Sequence, residues 1–432
     1  MQDERIVVGL DIGTTKVCAV VGRMNEFGKL EVLGIGKSVS EGVKEGTVNN
    51  INKTIAAIES AIKQAEDNAK IDIGVVNVGI AGKHIKIASH HGSITRKSGD
   101  DEITLDDVNR LTGDMYRIVT EPGSEIIHVI PQHYMVDYEG NIKDPVGMSG
   151  VKIEADFHLI TANANAIKNI NKCVERVGLE IENMILEPIA SSLAVLSHEE
   201  KEAGVCIVDI GGGTTDVAIF HDGILRHTAV IPFGGNIITQ DIKQGCAIMQ
   251  NQAELLKVKF GSSIPKEVPE NEYVSIPGLK DRPPKEVSVK NVAFIIEARM
   301  EEIIDMVLFE IKRSGYSKRL SAGVVITGGG AQLRRIQELF KAKSEMDVRI
   351  GYPNEYLGKT KDELVKNPSF ATAVGLVLAG FKPLDDRYDQ KSAASAQKYQ
   401  AKTGQSTKGD LFSSFIKSSK KLLLDDFDDK GY

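Results

Sequence analysis

The sequence has no tryptophan and only 5% aromatic residues, which excludes a base-stacking platform for single-stranded nucleic acid. Basic residues do not predominate: the net charge is −7, so the electrostatic footprint of a nucleic-acid binder is missing and no nucleic-acid partner is expected. The four cysteines, Cys18, Cys173, Cys206 and Cys246, are scattered. None forms a C-x-x-C pair or stands near a histidine at ligand spacing, so they read as reduced small hydrophobes of a cytoplasmic protein. The nine histidines form no metal set either, and His90 and His91, beside Gly92, read as loop. No apolar run reaches the roughly eighteen residues that a bilayer-spanning helix needs. The opening MQDERIVVGLDIG has no basic-then-apolar leader, so no export signal is expected.

What is present is an ordinary globular composition: 432 residues, 41% of them hydrophobic and 26% charged. That length suits about three domain-sized units and a core large enough to need no disulfide or metal staple. Apolar runs of strand length, at 6–10, 17–21 and 73–80, alternate with helical patterns such as 50–65. This alternation predicts an α/β architecture. Residues 382–409 contain almost no large aliphatic side chains and read as a disordered tether, with a root-mean-square span of roughly 30 Å.

One internal echo stands out. VVGLDIGTTKVCAVVG begins at Val7, and VCIVDIGGGTTDVAIFHDG begins at Val205. Each is an apolar strand, an Asp, a Gly/Thr turn and a second apolar strand, with Asp11 and Asp209 in equivalent places. Two like domains facing each other are expected. Glycine lets backbone approach a phosphate closely, and successive N–H groups in such a turn form an anion-binding concavity. Threonine hydroxyls add donors, Lys16 adds a point charge, and an Asp at a strand end suits Mg²⁺ held through water. A single copy reads more readily as a plain β-hairpin, but two copies with matched Asp favour opposed phosphate grips. A third cluster, Gly328-Gly329-Gly330, follows the apolar run at 324–327 and precedes a predicted helix at 332–342; it reads as a site of close approach to a flat ring or as a tight turn. Neither a Walker A pattern nor G-x-G-x-x-G after a strand occurs.

These three turns resemble the two phosphate motifs and the adenosine motif of the actin/Hsp70/hexokinase superfamily. EPIASSLA from Glu187 and SFATAVGL from Ser369 resemble its two connecting helices. Within that superfamily the chain resembles the FtsA family of actin-like bacterial division proteins, with support from SEGVKEGTV at 40–48, GIAGKHI at 79–85 and GMSGVKIEADFHLI at 147–160. The resemblance implies an actin-like α/β fold of two ribonuclease-H-like halves with a small SHS2-like α/β subdomain inserted in the first. It places the first-half core at 1–82 and 161–195, the insert at 83–160, the second-half core at 196–234 and 300–381, and an upper subdomain at 235–299. A flexible linker at 382–409, an amphipathic helix at 410–424 and an acidic end at 425–432 follow.

By the same resemblance, Asp11 and Asp209 would organise Mg²⁺ through water, and Gly13, Thr14, Thr15 and Lys16 would hold the β- and γ-phosphates of ATP. Gly211, Gly212, Gly213, Thr214 and Thr215 would face them. Gly328, Gly329 and Gly330 would approach the adenosine, and Gly234, Gly235 and Asn236 the ribose. Glu254 and Lys257 fall on one face of a predicted helix at 252–259 and either bracket the adenine and ribose or form a solvated pair. Glu187 either orients an attacking water or simply favours a helix N-terminus before Pro188. The implied activity is ATP binding with at most slow hydrolysis.

Residues 410–424, DLFSSFIKSSKKLLL, are apolar on one helical side, with Leu411, Phe412, Phe415, Ile416, Leu422 and Leu423 there and lysines opposite. A helix of about 21 Å is too short to span a bilayer and long enough to lie in its interface. The stripe reads as a membrane anchor or as a helix that docks on protein. The family implies a scaffold on the cytoplasmic face of the membrane at the division site. It would anchor filaments of tubulin-like FtsZ by their C-terminal tail, held by the upper subdomain, where the segment at 271–287 reads as an exposed loop. It would also polymerise and help recruit later division proteins. A small-molecule kinase or a PilM-like pilus-assembly ATPase on the same fold is the alternative; neither accounts for the C-terminal stripe.

Overall fold

The computed structural model describes residues 5–381 apart from positions 100, 279, 281, 282, 359 and 361. The tether, amphipathic helix and acidic end expected at 382–432 therefore lie outside the described residues. The chain begins with β1 (Ile6–Ile12), β2 (Lys16–Met24), β3 (Leu30–Val39) and a short hairpin of β4 (Val43–Lys44) and β5 (Thr47–Val48). Helix α1 (Ile51–Ala69) follows, then β6 (Val75–Ile80). Asn50 caps α1 by accepting from the Lys53 N–H, and the buried side chains Thr54, Ala57, Ile58, Ala61, Ile62 and Ala65 recur at helical spacing.

Next come β7 (Lys86–Thr95), α2 (Leu105–Met115), β8 (Ser124–Val136), β9 (Glu139–Ile142) and β10 (Lys152–Asn163). These form a separate four-stranded sheet, ordered β7-β10-β8-β9, with its own core around Leu111, Ile153 and Phe157. His90 and His91 lie inside β7, not in a loop: His91 stands opposite Asp156 of β10, and its ring nitrogens reach Asp156 and Glu154 at 3.0 and 3.3 Å. The alternation of His90 and His91 between the two sheet faces hides the strand from a composition reading.

The chain returns through α3 (Ala164–Arg176), β11 (Glu180–Leu186), α4 (Glu187–Val195) and α5 (His198–Ala203). The second half runs β12 (Val205–Ile210), β13 (Thr215–His221), β14 (Ile224–Ile231), α6 (Gly235–Cys246), α7 (Gln250–Phe260), β15 (Tyr273–Ile276), β16 (Lys285–Ser288) and α8 (Val289–Arg313). It ends in β17 (Val324–Thr327), α9 (Ile336–Ser344), β18 (Val348–Ile350) and α10 (Ala371–Phe381). The segment expected as a loop at 271–287 carries strand near both of its ends, the antiparallel pair β15 and β16.

The two large sheets share one topology. One is ordered β3-β2-β1-β6-β11 and the other β14-β13-β12-β17-β18. In each, three strands run antiparallel and two more join the first in parallel. The echo in the sequence is thus a repeat of the same three-dimensional unit, with Asp11 and Asp209 on the middle strands β1 and β12.

Helices α4 and α10 pack against each other beside these sheets. Gly375 sets their separation: a Cβ there would lie 1.8 Å from the Ala190 carbonyl oxygen. Overpacking of this kind typically costs about 1–3 kcal/mol. Gly375→Val is expected to reduce the unfolding free energy by that amount, read as a lower urea midpoint, while far-UV circular dichroism stays native; an unchanged midpoint would disprove the crossing.

Candidate functional site

The two Gly/Thr turns stand at the ends of the middle hairpins and meet. In the first, the Gly13 N–H closes the turn onto the Lys16 carbonyl at 3.0 Å. Thr14 Oγ1 accepts from the Gly46 N–H at 3.2 Å, which ties the turn to the β4–β5 hairpin. In the second, the Gly211 N–H bonds the Thr214 carbonyl at 2.9 Å, and Thr215 Oγ1 donates to the Phe233 carbonyl at 2.8 Å. A Cβ on Gly212 would sit 1.7 Å from Thr15 Oγ1, and one on Gly213 2.7 Å from Thr14 Oγ1. Only glycine allows the halves to approach this closely.

The other singled-out residues gather on the same spot. The Gly235 and Asn236 N–H groups donate to the Gly211 and Gly212 carbonyls at 2.9 and 2.8 Å, so the start of α6, with Gly234 as its N-cap, leans on the second turn. Lys257 is buried on α7, and its Nζ donates to the Gly235 carbonyl at 2.9 Å, Thr239 Oγ1 at 2.8 Å and Glu254 Oε2 at 2.8 Å. The Glu254–Lys257 pair thus joins a buried lysine to a half-exposed carboxylate and braces α6 against α7. Gly328 has a left-handed φ of 84°, and a Cβ on it would meet Asp209 Oδ1 at 2.3 Å. Gly330 packs on Ile210, while Gly329 has no atom within 4 Å of a Cβ position and faces open space. The helix expected at 332–342 starts later: residues Gly329–Gln332 form a short 3-10 turn, and the left-handed Arg335 precedes α9.

Three carboxyls are buried beneath the turns, Asp11 and Asp209 on the middle strands and Asp216 on β13, and a half-buried fourth, Glu187, stands at the start of α4. Burial pushes Asp11 up to about 6, with Lys16 pulling the other way and Asp209 adding repulsion. Burial pushes Asp216 up to about 8, reinforced by Asp209 and Asp11. Glu187 is held well above the ordinary carboxylate range by burial and then by Asp11, Asp216 and Asp209. Asp209 is raised by burial but eased by two hydroxyls, with Ser191 Oγ donating to its Oδ2 at 2.6 Å and Thr372 Oγ1 at 3.2 Å. Lys16 Nζ donates to the Ser369 carbonyl and lies 4.2 Å from the centre of the Phe370 ring.

Asp216, Ser191 and Thr372 were not singled out by sequence reasoning. Asp216 closes the DIGGGTTD segment, and in the antiparallel β12–β13 pair it stands opposite Asp209, a relation that a hairpin register drawn from the turn would have found. Ser191 and Thr372 lie in the two small-residue helices, where small size masked their hydroxyls.

Among the described residues no group of three or more His, Cys, Asp or Glu is close enough to hold a metal ion directly. The donor set nevertheless lacks positive charge: four carboxyls, three of them buried, share one nearby lysine, and Asp216 Oδ1 is buried with no hydrogen-bond partner. Such a set fits a hydrated divalent cation.

A carboxyl whose folded value lies above its unfolded one keeps its proton in the fold, so its contribution to stability is lost as pH rises toward that folded value. The unliganded protein is therefore expected to melt lower at pH 8 than at pH 6, and Asp216→Asn to shrink that difference. Equal pH slopes in differential scanning calorimetry would contradict the burial of Asp216 among like charges.

Comparison with known proteins follows from this geometry. The family model of cell division protein FtsA matches residues 206–375, and that of the SHS2 domain inserted in FtsA matches 82–161. The chain is 39% identical over 396 residues to cell division protein FtsA of Pseudomonas aeruginosa, covering 92% of this chain and 94% of that one. It is 38% identical over 385 residues to the Escherichia coli protein of the same name, covering 88% and 91%. Among solved structures, the PilM-PilN type IV pilus biogenesis complex superposes with a TM-score of 0.59 at 15% identity, covering 87% of this chain and 99% of the other. MreB5 of Spiroplasma citri bound to ADP gives 0.53 at 16% identity, covering 87% and 96%. The MamK double helical filament gives 0.50 at 14% identity, covering 88% and 99%. The structural likenesses establish an actin-like fold, and identity over nearly the whole length decides the family: the chain belongs to the FtsA family of cell division proteins.

Proposed function

We propose that this protein is an ATP-binding, membrane-attached scaffold of bacterial division. The observation that carries the nucleotide reading is the contact between two like Gly/Thr turns, one from each half, above a cluster of four carboxyls. Gly13, Thr14, Thr15 and Lys16 would take the β- and γ-phosphates from one side and Gly211–Thr215 from the other. The open face of Gly329 would admit the adenosine, and the brace of Glu254 and Lys257 would border it. Asp11 and Asp209 would hold Mg²⁺ through water, and the ion would neutralise phosphate charge.

Lys16 would exchange the Ser369 carbonyl for phosphate. Glu187 would orient a water toward the terminal phosphate. The MreB5 structure bound to ADP and the MamK double helical filament support nucleotide binding and self-association by analogy of fold.

The upper subdomain at 235–299 would receive the FtsZ C-terminal tail, and the inserted subdomain would face later division proteins. The stripe of Leu411, Phe412, Phe415, Ile416, Leu422 and Leu423, outside the described residues, would lie in the cytoplasmic leaflet with its lysines toward anionic head groups. The kinase and pilus-assembly readings are not favoured, because near-full-length identity joins the chain to division proteins.

Two outcomes are expected. ATP with Mg²⁺ at about 100 times its Kd should stabilise the protein by about 2.7 kcal/mol in a thermal-shift assay, and Gly212→Asp should abolish the shift. No shift in the parent protein would sink the site assignment. Separately, co-sedimentation with anionic liposomes should be lost in Phe412→Glu; undiminished binding would remove the membrane anchor.

A further inference from the structure

The inserted subdomain is joined to the first half through the chain on either side of β7 and β10, yet it also touches the second half, where β14 packs against β7 and β8. The centre of that contact is Arg226 of β14, whose side chain is 2% exposed. Its NH1 donates to the Gln132 carbonyl and to Gln132 Oε1, both at 3.3 Å, and reaches His133 Nε2 at 3.0 Å. Its Nε donates to the His221 carbonyl at 3.2 Å and its NH2 to Asp222 Oδ2 at 3.4 Å. Gln132 Nε2 returns a bond to the Leu225 carbonyl at 3.0 Å. At the rim, Lys143 pairs with Glu202 at 2.6 Å and with Asp222 at 3.6 Å.

A guanidinium has no acceptor, so His133 must accept from Arg226 through an unprotonated Nε2. Its Nδ1 is buried with no partner. A second proton on this ring would destroy the acceptor and set imidazolium against guanidinium away from water. The surroundings do not compensate. Asp222 is shared with Arg226, Lys143 and His221. Asp156 of β10 is engaged by His91. His158 of β10 adds no counter-charge, and His227 of β14 is bound to Glu310 of α8. Burial and Arg226 together hold His133 below the ordinary histidine range, and burial, Arg226 and His227 do the same to His158.

We propose that Arg226, Gln132 and His133 form a proton-sensitive clasp that pins the inserted subdomain to the second half and lets go when His133 takes up a proton. The subdomain is thereby tied to both halves while the clasp is shut, and to the first half alone once it opens. An opened His133 titrates near its ordinary value of about 6.5, whereas the clasped ring binds protons more weakly. The clasp is therefore at full strength above that value and weakens as pH falls below it.

Double electron–electron resonance on the full-length protein tests this. Spin labels go on Val119→Cys in the insert and Phe309→Cys on α8, both exposed, while the four native cysteines are buried. One narrow distance distribution is expected at pH 7.5. At pH 5.5 the ratio of open to clasped molecules should rise by up to about tenfold. Arg226→Gln should open the clasp at both pH values. His133→Gln keeps an acceptor for Arg226 and should stay clasped at both. A distribution in the labelled parent that ignores pH, or an acid response that survives in His133→Gln, overturns the proposal; that second comparison decides even where Arg226→Gln fails to fold.

Discussion

The central constraint is repulsion. Asp11, Asp209, Asp216 and Glu187 are confined to one dry place between two halves, with Lys16 as the nearby cation that opposes them. Charged groups out of water either pair, bind a metal or keep their protons. Here the ordinary helpers are few: two hydroxyls for Asp209, one for Asp216, and an Asp216 oxygen with nothing. The arrangement is poorly satisfied on its own and well suited to polyvalent guests of mixed charge. The strain is tolerated because the middle strands β1 and β12 belong to sheets buried on both faces, which hold the carboxyls in place whatever their comfort.

Around that spot the architecture is a doubled unit with one asymmetry. Both halves use the same strand order and the same turn between their first two strands. The first half carries a four-stranded insert with an apolar core of its own, although Ile127 and Ile160 of β8 and β10 also join the core of the parent half, whereas the second half carries only the two-stranded β15–β16 pair. The insert's polar face, in contrast, makes specific bonds to the second half through a buried arginine. Core and contact thus have different physical characters: the one is apolar and indifferent to pH, the other ionic and directional.

Much of this was legible from residues alone where the information is local. A strand, an Asp and a glycine turn are contiguous, so the repeat at Asp11 and Asp209 and the α/β class could be read directly. Asn50 before an apolar helical pattern marked α1 to within a residue at its start. What escaped was carried by contacts distant in sequence. Ser191 and Thr372 reach Asp209 from different helices, and nothing in their own neighbourhoods announces it. Glu254 and Lys257 could be read either as a bracket at a site or as a solvated pair, because spacing cannot report that Lys257 is buried. The late start of α9 follows from the left-handed Arg335, and a backbone angle leaves little trace in composition. His91 was misplaced because two adjacent histidines suggest a loop when the cross-strand partners Glu154 and Asp156 are unknown.

The crossing of α4 and α10 has a mechanical corollary. At Gly375 the meeting surfaces are main chain against main chain, with no side chain between them. Interdigitated joints move by jumps, because each knob must leave one hole for the next. Only the crossing point is bare: around it Ala190, Leu376 and Ala379 pack together and Ser191 Oγ meets Thr372 Oγ1 at 3.1 Å, so turning would be smooth at the centre while these neighbours set the stopping points.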